Sequence, residues 1–201
     1  SFGYEISIHE KITQDNAAAL LSGCSGVITS TRLQLNRSLL DAAPGLQWIG
    51  RMGSGMEVID LEYTREKGIA CFASPEGNCN AVGEHALGML LSLSRRISLS
   101  HNELINGVWK REENRGWELE GKTVAIIGFG HTGAAFARKL AGFNVRILAY
   151  DKYNPGQIPP GIEKMELLET IFSEADVLSF HVPLQSDTVY YFDSAFLDNM
   201  K

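Results

Sequence analysis

Thr123-Val124-Ala125-Ile126-Ile127-Gly128-Phe129-Gly130-His131-Thr132-Gly133 is the stretch that decides the fold: an apolar strand pattern running into three glycines spaced GxGxxG. In a chain with 20 glycines that spacing alone is a weak signal, and the flanks make it specific. Ala134-Ala135-Phe136-Ala137-Arg138-Lys139-Leu140-Ala141 follows as a helical stretch, and Val145-Arg146-Ile147-Leu148-Ala149-Tyr150 returns as a second apolar strand. Asp151 ends that strand, eighteen residues after Gly133. A strand, a glycine turn, a helix, a strand and an acid in this order predict a dinucleotide-binding βαβ unit. Gly128 permits the tight turn, Gly130 lets the backbone approach a pyrophosphate, and Gly133 lets helix and strand pack closely. The N–H groups and dipole at the helix start face the pyrophosphate. Asp151 then accepts hydrogen bonds from the adenosine ribose, which favours NAD over NADP because a 2′-phosphate meets like charge. Lys152 beside it softens that preference.

Composition narrows the partners. The 201 residues carry a net charge of −6, with 44% hydrophobic and 21% charged residues, an ordinary globular balance with room for a sizeable core. An acidic chain lacks the basic footprint of nucleic-acid or anionic-membrane binding, so the expected ligand is small. Cys24, Cys71 and Cys79 are odd in number and form no CxxC; neither a disulfide framework nor a structural zinc site is indicated. No run approaches the ~18 apolar residues of a membrane span, and the first residues do not read as a secretory leader. A cytoplasmic protein is the expectation.

Along the chain, strand and helix patterns alternate. Strands are predicted at residues 4–8, 26–29, 46–50 and 69–72, and helices at 15–22 (capped by Asp15 or Asn16), 36–42 and 57–67. A long helix is predicted from about residue 80 to 101, apolar on more than one side and so suited to a domain junction or subunit interface. Residues 110–116 read as a linker. After the dinucleotide unit come a Pro/Gly-rich loop at 154–161, a helix at 163–173, a strand at 177–181 and a helix at 194–200. This alternation implies parallel sheets, doubly wound: an α/β chain with a flavodoxin-like domain over residues 1–100 and a Rossmann domain over 101–201.

Several ordered segments resemble the D-isomer-specific 2-hydroxyacid dehydrogenase family, in particular its phosphoglycerate dehydrogenase-like branch. They are Gly53-Ser54-Gly55-Met56 with Ile59-Asp60, Gly68-Ile69, Ser74-Pro75-Glu76-Gly77-Asn78, Val82-Gly83-Glu84-His85-Ala86, Leu119-Glu120-Gly121-Lys122-Thr123, the GxGxxG unit, and His181-Val182-Pro183-Leu184. The resemblance implies hydride transfer between NAD and C2 of a small 2-hydroxy or 2-oxo acid, in a homodimer formed through the long helix. It implies that the N–H groups of Ser54 and Gly55 hold the substrate carboxylate. A Gly-rich turn with consecutive N–H groups can itself form such an anion nest. In the cofactor site it places His131 and Thr132 over the pyrophosphate, Asp151 on the ribose, and His181, Val182, Pro183 and Thr188 along the nucleotide. Ser74 approaches the nicotinamide from the first domain.

The catalytic Arg, Glu and His of the family pattern are expected beyond Lys201, and the front end resembles the family's second strand. The chain therefore reads as a fragment without turnover of its own. Glu84 and His85 are helix neighbours about 100° apart and cannot form an oriented pair. Phosphoglycerate dehydrogenases carry an Arg just after the strand corresponding to residues 26–28; here Thr29-Ser30-Thr31-Arg32 leaves open whether Arg32 substitutes or the substrate lacks a phosphate. A naturally short NAD-binding, corepressor-like scaffold is the alternative of a different class. An adenosylhomocysteinase-like enzyme would account for the GxGxxG unit and not for Pro75-Glu76-Gly77-Asn78 or the His-Val-Pro segment.

Overall fold

A computed structural model describes Gly3, residues 5–153 and residues 158–200. The chain divides into two compact units, Ser1–Gly77 and Asn78–Lys201, so the division falls after residue 77 where the sequence pattern set it at 100/101. Among the described residues no helix is long and apolar enough to cross a membrane.

The first unit holds a parallel sheet of β1 (Gly26–Thr29), β2 (Trp48–Arg51) and β3 (Ala70–Ala73), in that order. Helix α1 (Gln14–Leu21) precedes β1, and α2 (Arg37–Asp41) and α3 (Leu61–Glu66) connect the strands. Their starts follow local chemistry: the Asn36 and Asp60 side chains accept the N–H groups of Leu39 and Tyr63, each satisfying one orphan donor of a first turn. At α1 the N-cap is Thr13, with Asn16 accepting the Thr13 N–H in return, instead of the expected Asp15 or Asn16 cap. Leu21, Leu35, Leu39, Ile49 and Ile59 close the core. Of the strand expected at residues 4–8, the described residues 5–8 form no part. Tyr4 lies outside the described residues; residues 5–8 are exposed and pair with no described strand.

In the second unit, four parallel strands lie in the order β6 (Ile162–Met165), β5 (Arg146–Tyr150), β4 (Thr123–Ile127), β7 (Val177–Phe180). The middle strand β4 is buried at all five residues because both faces are covered. Val124 and Ile126 pack under α4 (Cys79–Ser94) and α6 (His131–Leu140), while Ala125 packs with Leu148 and Ile171 toward α7 (Leu168–Glu174). α4 comes so close to α6 that a Cβ on Gly83 would stand 2.9 Å from the Ala135 carbonyl carbon. α8 (Ser194–Asp198) closes the unit.

Two expected helices are divided differently. The predicted helix at 80–101 is α4 followed by α5 (Ile97–Ile105), separated at Arg96, which is left-handed at φ 52°. The break is tertiary: the Ser94 carbonyl accepts the Trp117 N–H at 2.9 Å, and a Cβ on Gly116 would stand 2.2 Å from that oxygen. The chain returning from α5 thus takes an acceptor from the helix end. The predicted helix at 163–173 begins instead as strand β6, paired with β5 from Ile147↔Ile162 to Tyr150↔Met165. Arg146 holds Glu163 at 2.6 Å and also pairs with Glu174, tying β5, β6 and α7. An open sheet edge outweighs the helical preference of Glu-Lys-Met, as context does for short segments.

Candidate dinucleotide site

Register builds the site. Ile127 pairs with Tyr150 on one side and Phe180 on the other, so the next residues, Gly128, Asp151 and His181, emerge side by side at the carboxyl ends of three adjacent strands. Successive strands run from β4 to β5 and β6 on one side, whereas β7 lies on the other. Between β4 and β7 the sheet reverses its winding, and a crevice opens there. A cavity of about 180 Å³ occupies it, lined by Gly128, Gly130, Asp151, His181, Val182, Pro183 and Thr188 among others.

The three glycines serve different ends. Gly128 has φ +90°, its N–H donates to the Tyr150 carbonyl at 2.8 Å, and a Cβ there would stand 2.8 Å from the His181 carbonyl. Gly133 is buried, and its Cβ would stand 2.2 Å from the Gly128 carbonyl oxygen. Gly130 is exposed at φ −81°, with no atom within 4 Å of the place a Cβ would take. The fold needs glycine at 128 and 133; at 130 the bare backbone leaves open a cradle that a side chain would fill. No side chain caps α6, and the Ala134 N–H bonds the Gly130 carbonyl. The N–H groups ahead of it are left to a ligand, at the positive end of the helix dipole. This backbone fits a dinucleotide pyrophosphate.

Asp151 is more occupied than its sequence position suggested. One carboxylate oxygen accepts the Phe129 N–H at 2.8 Å and the other the Tyr153 N–H at 2.9 Å. These bonds fix the carboxylate against the glycine turn, and its remaining lone pairs are available to hydroxyl donors. Lys152 is turned to Asp187 at 2.7 Å, each partner stabilising the other's charged form. Thr188 lines the cavity, but its hydroxyl donates to the Pro183 carbonyl at 2.6 Å and accepts the Gln185 N–H, bracing its own loop. His131 and Thr132 start α6 and lie outside the cavity wall. Tyr150, Tyr153, Gln185, Asp187 and Tyr191 also line it; only strand register and loop closure bring them there, and no motif marked them.

His181 is half-buried, its ring 5.5 Å from that of Phe136 and its Nε2 2.9 Å from the Ser179 hydroxyl. Burial holds its imidazole below the usual 6.5, so it is neutral at pH 7. The unfolded chain takes up this proton first as pH falls. Stability is therefore full above about 6.5 and declines as pH drops from there through the folded value. Thermal melts of wild type and His181→Gln from pH 8 to 5 should converge as acid is added, with only the wild type losing this increment.

In the first unit, Gly53 (φ +134°), Ser54 and Gly55 form a turn after β2, with Ser54 exposed and the Gly53 carbonyl accepting the Ser74 N–H at 3.0 Å. Beneath it lies Arg51, 8% exposed, whose Nε has no hydrogen-bond partner. Its guanidinium bonds the Met52 carbonyl and lies 3.9 Å from Glu57. No sequence motif pointed to this buried cation; an arginine within an otherwise apolar strand was the available signal. Glu84 pairs with Lys139 and Asn80 and not with His85. Among the described residues no group of His, Cys, Asp or Glu could hold a metal.

A parallel sheet with a glycine turn and an uncapped helix start at its switch point, and an acid ending the neighbouring strand, defines a Rossmann-type dinucleotide-binding domain. Residues 87–201 match the model of the D-isomer specific 2-hydroxyacid dehydrogenase NAD binding domain, and the chain belongs to that family, with NAD as its cofactor. It is 31% identical to D-lactate dehydrogenase of Escherichia coli over 100% of this chain and 62% of that protein. It is 30% identical to hydroxypyruvate reductase of Thermotoga maritima over 96% of this chain and 62% of that protein. Human D-3-phosphoglycerate dehydrogenase is 29% identical over 92% of this chain and 35% of its own length. Among solved structures, the TT0316 protein of Thermus thermophilus superposes with TM-score 0.83 at 26% identity, over 98% of this chain and 63% of that one. The NAD-dependent formate dehydrogenase of Staphylococcus aureus, in complex with NAD, gives 0.79 at 29% identity, over 93% and 57%. The chain thus spans about three fifths of the length of several relatives. Their names differ in substrate at nearly equal identity, so similarity marks the family and not a branch within it.

Proposed function

We propose that this chain is the cofactor-binding part, with part of the substrate-binding part, of an NAD-dependent oxidoreductase acting at C2 of a small D-2-hydroxy or 2-oxo acid. The observation that carries this reading is the cleft at the sheet's switch point, where Gly130 leaves the approach to the uncapped start of α6 open. NAD supplies the hydride chemistry when bound. The chain's own residues bind and orient it: Gly128, Gly130 and Gly133 shape the turn, His131 and Thr132 present N–H groups to the pyrophosphate, and Asp151 receives the ribose hydroxyls. His181, Val182, Pro183 and Thr188 form the opposite wall. The turn at Ser54 and Gly55 receives the acid's carboxylate, with the buried Arg51 charge behind it. A second copy of the chain covers the apolar face of α4 and α5, where Leu93, Ile97 and Ile105 are exposed, together with the exposed Trp109 that follows α5.

Titration of the chain with NADH tests the reading, beside the Asp151→Ala variant. Losing a charged acceptor for two hydroxyls costs about 1.5–3 kcal/mol, a weakening of roughly 10- to 100-fold in Kd. Wild-type protein that fails to bind NADH, or an Asp151→Ala variant that binds it unchanged, would defeat the assignment. Turnover of a panel of 2-oxo acids by the protein as its host makes it then names the substrate.

A further inference from the structure

The mouth of the dinucleotide cleft carries three charges on two loops. Asp151 and Lys152 follow β5; Asp187 lies in the loop after β7; all three line the cavity. Lys152 Nζ reaches across to Asp187 Oδ2 at 2.7 Å, with side-chain exposures of 61% and 38%, and lies 5.6 Å from the Tyr153 ring centre. An exposed pair of this kind adds little to folding stability. Its position suggests a different role. With Lys152 held by Asp187, the ribose end of the cleft sums to one net negative charge, two carboxylates against one ammonium. A ribose with free hydroxyls is a donor and suits that field. A 2′-phosphate, with a charge near −2, does not, unless a cation is released to meet it. Lys152 is the cation placed to do so.

We propose that Asp187 sets the dinucleotide choice of this site: it engages the Lys152 ammonium and withholds it from a 2′-phosphate, leaving Asp151 to select the hydroxyls of NAD. The inference rests on Asp151 marking the ribose end, as in the proposed function, and assigns the discrimination to a residue on a different loop. Asp187 is a positioning residue, acting on the ligand through Lys152.

The test measures Kd for NADH and NADPH by titration of the full chain, for wild type, Asp187→Asn, and Asp187→Asn combined with Lys152→Met. In Asp187→Asn the ratio Kd(NADPH)/Kd(NADH) should fall about tenfold, because a freed ammonium gains the phosphate. The added Lys152→Met should return the ratio to within about twofold of wild type. An unchanged ratio in Asp187→Asn overturns the proposal, as does a fall that persists without Lys152. Equal weakening of both cofactors also overturns it, showing that the pair only ties the two loops. Wild-type protein that binds neither cofactor removes the functional reading and this inference together. Wild-type binding of NADH with an unchanged ratio in the variant removes this inference alone. Asp187→Ser, run in parallel with melts of each variant, guards against a folding defect peculiar to one substitution.

Discussion

Gly130→Val should leave the protein folded and without measurable affinity for NADH. Gly130 is exposed, its φ of −81° is open to any L-residue, and no atom lies within 4 Å of where its Cβ would go. Valine is a poor N-cap, and the change costs the fold about 1 kcal/mol at most, a shift of a few degrees in Tm. The ligand loses far more. Branched methyl groups over the start of α6 keep a pyrophosphate from the backbone N–H groups, forfeiting at least two charge-assisted hydrogen bonds of about 1.5–3 kcal/mol each. That amounts to a Kd raised by roughly 10²–10⁴. Calorimetric titration with a thermal melt of the same sample separates the two effects. Retained NADH binding would place the pyrophosphate elsewhere; a collapsed melt would mean that Gly130 serves the fold after all.

At Gly133 the balance is reversed, and even alanine should be damaging. Helix propensity favours alanine over glycine in α6 by about 1 kcal/mol. Against that, the new Cβ would stand 2.2 Å from the Gly128 carbonyl oxygen and 3.1 Å from Ile126 Cγ2. Neither neighbour can withdraw. The Gly128 carbonyl belongs to a turn fixed by its own N–H bond to Tyr150, and Ile126 is fully buried in β4. Relief requires α6 to shift away from the sheet, and overpacking of this kind costs about 1–3 kcal/mol or more. The net expectation is a loss of up to about 2 kcal/mol in the second unit, read as a lowered urea midpoint at unchanged slope. A midpoint raised by Gly133→Ala would show propensity winning and the helix-to-strand approach looser than described.

These two glycines mark the border between what was legible and what was not. The GxGxxG spacing, the alternation of apolar strands with helices, and the acid ending β5 are consecutive in the chain, so their geometry follows from local chemistry. The dinucleotide unit, the parallel α/β class and the family resemblance were all readable from such segments. Errors arose where a remote neighbour decided the outcome. Residues 5–8 alternate like a strand yet meet no described strand to pair with. Residues 163–165 read as the start of a helix and lie instead in the strand Ile162–Met165, because β5 has a free edge beside it. The long helix from residue 80 breaks near Arg96, where Trp117 takes the Ser94 carbonyl.

Taken alone, the sequence determined the glycine turn, the acid that ends β5 and the family to which both belong, because each is a short-range pattern of residue types. Only the tertiary structure decided the strand order that brings Gly128, Asp151 and His181 to one crevice, the burial of Arg51 beneath Gly53, and the pairing of Lys152 with Asp187 across 35 positions. Those depend on which distant segments pack together, and no local preference encodes the partner that a charge or a strand edge will meet.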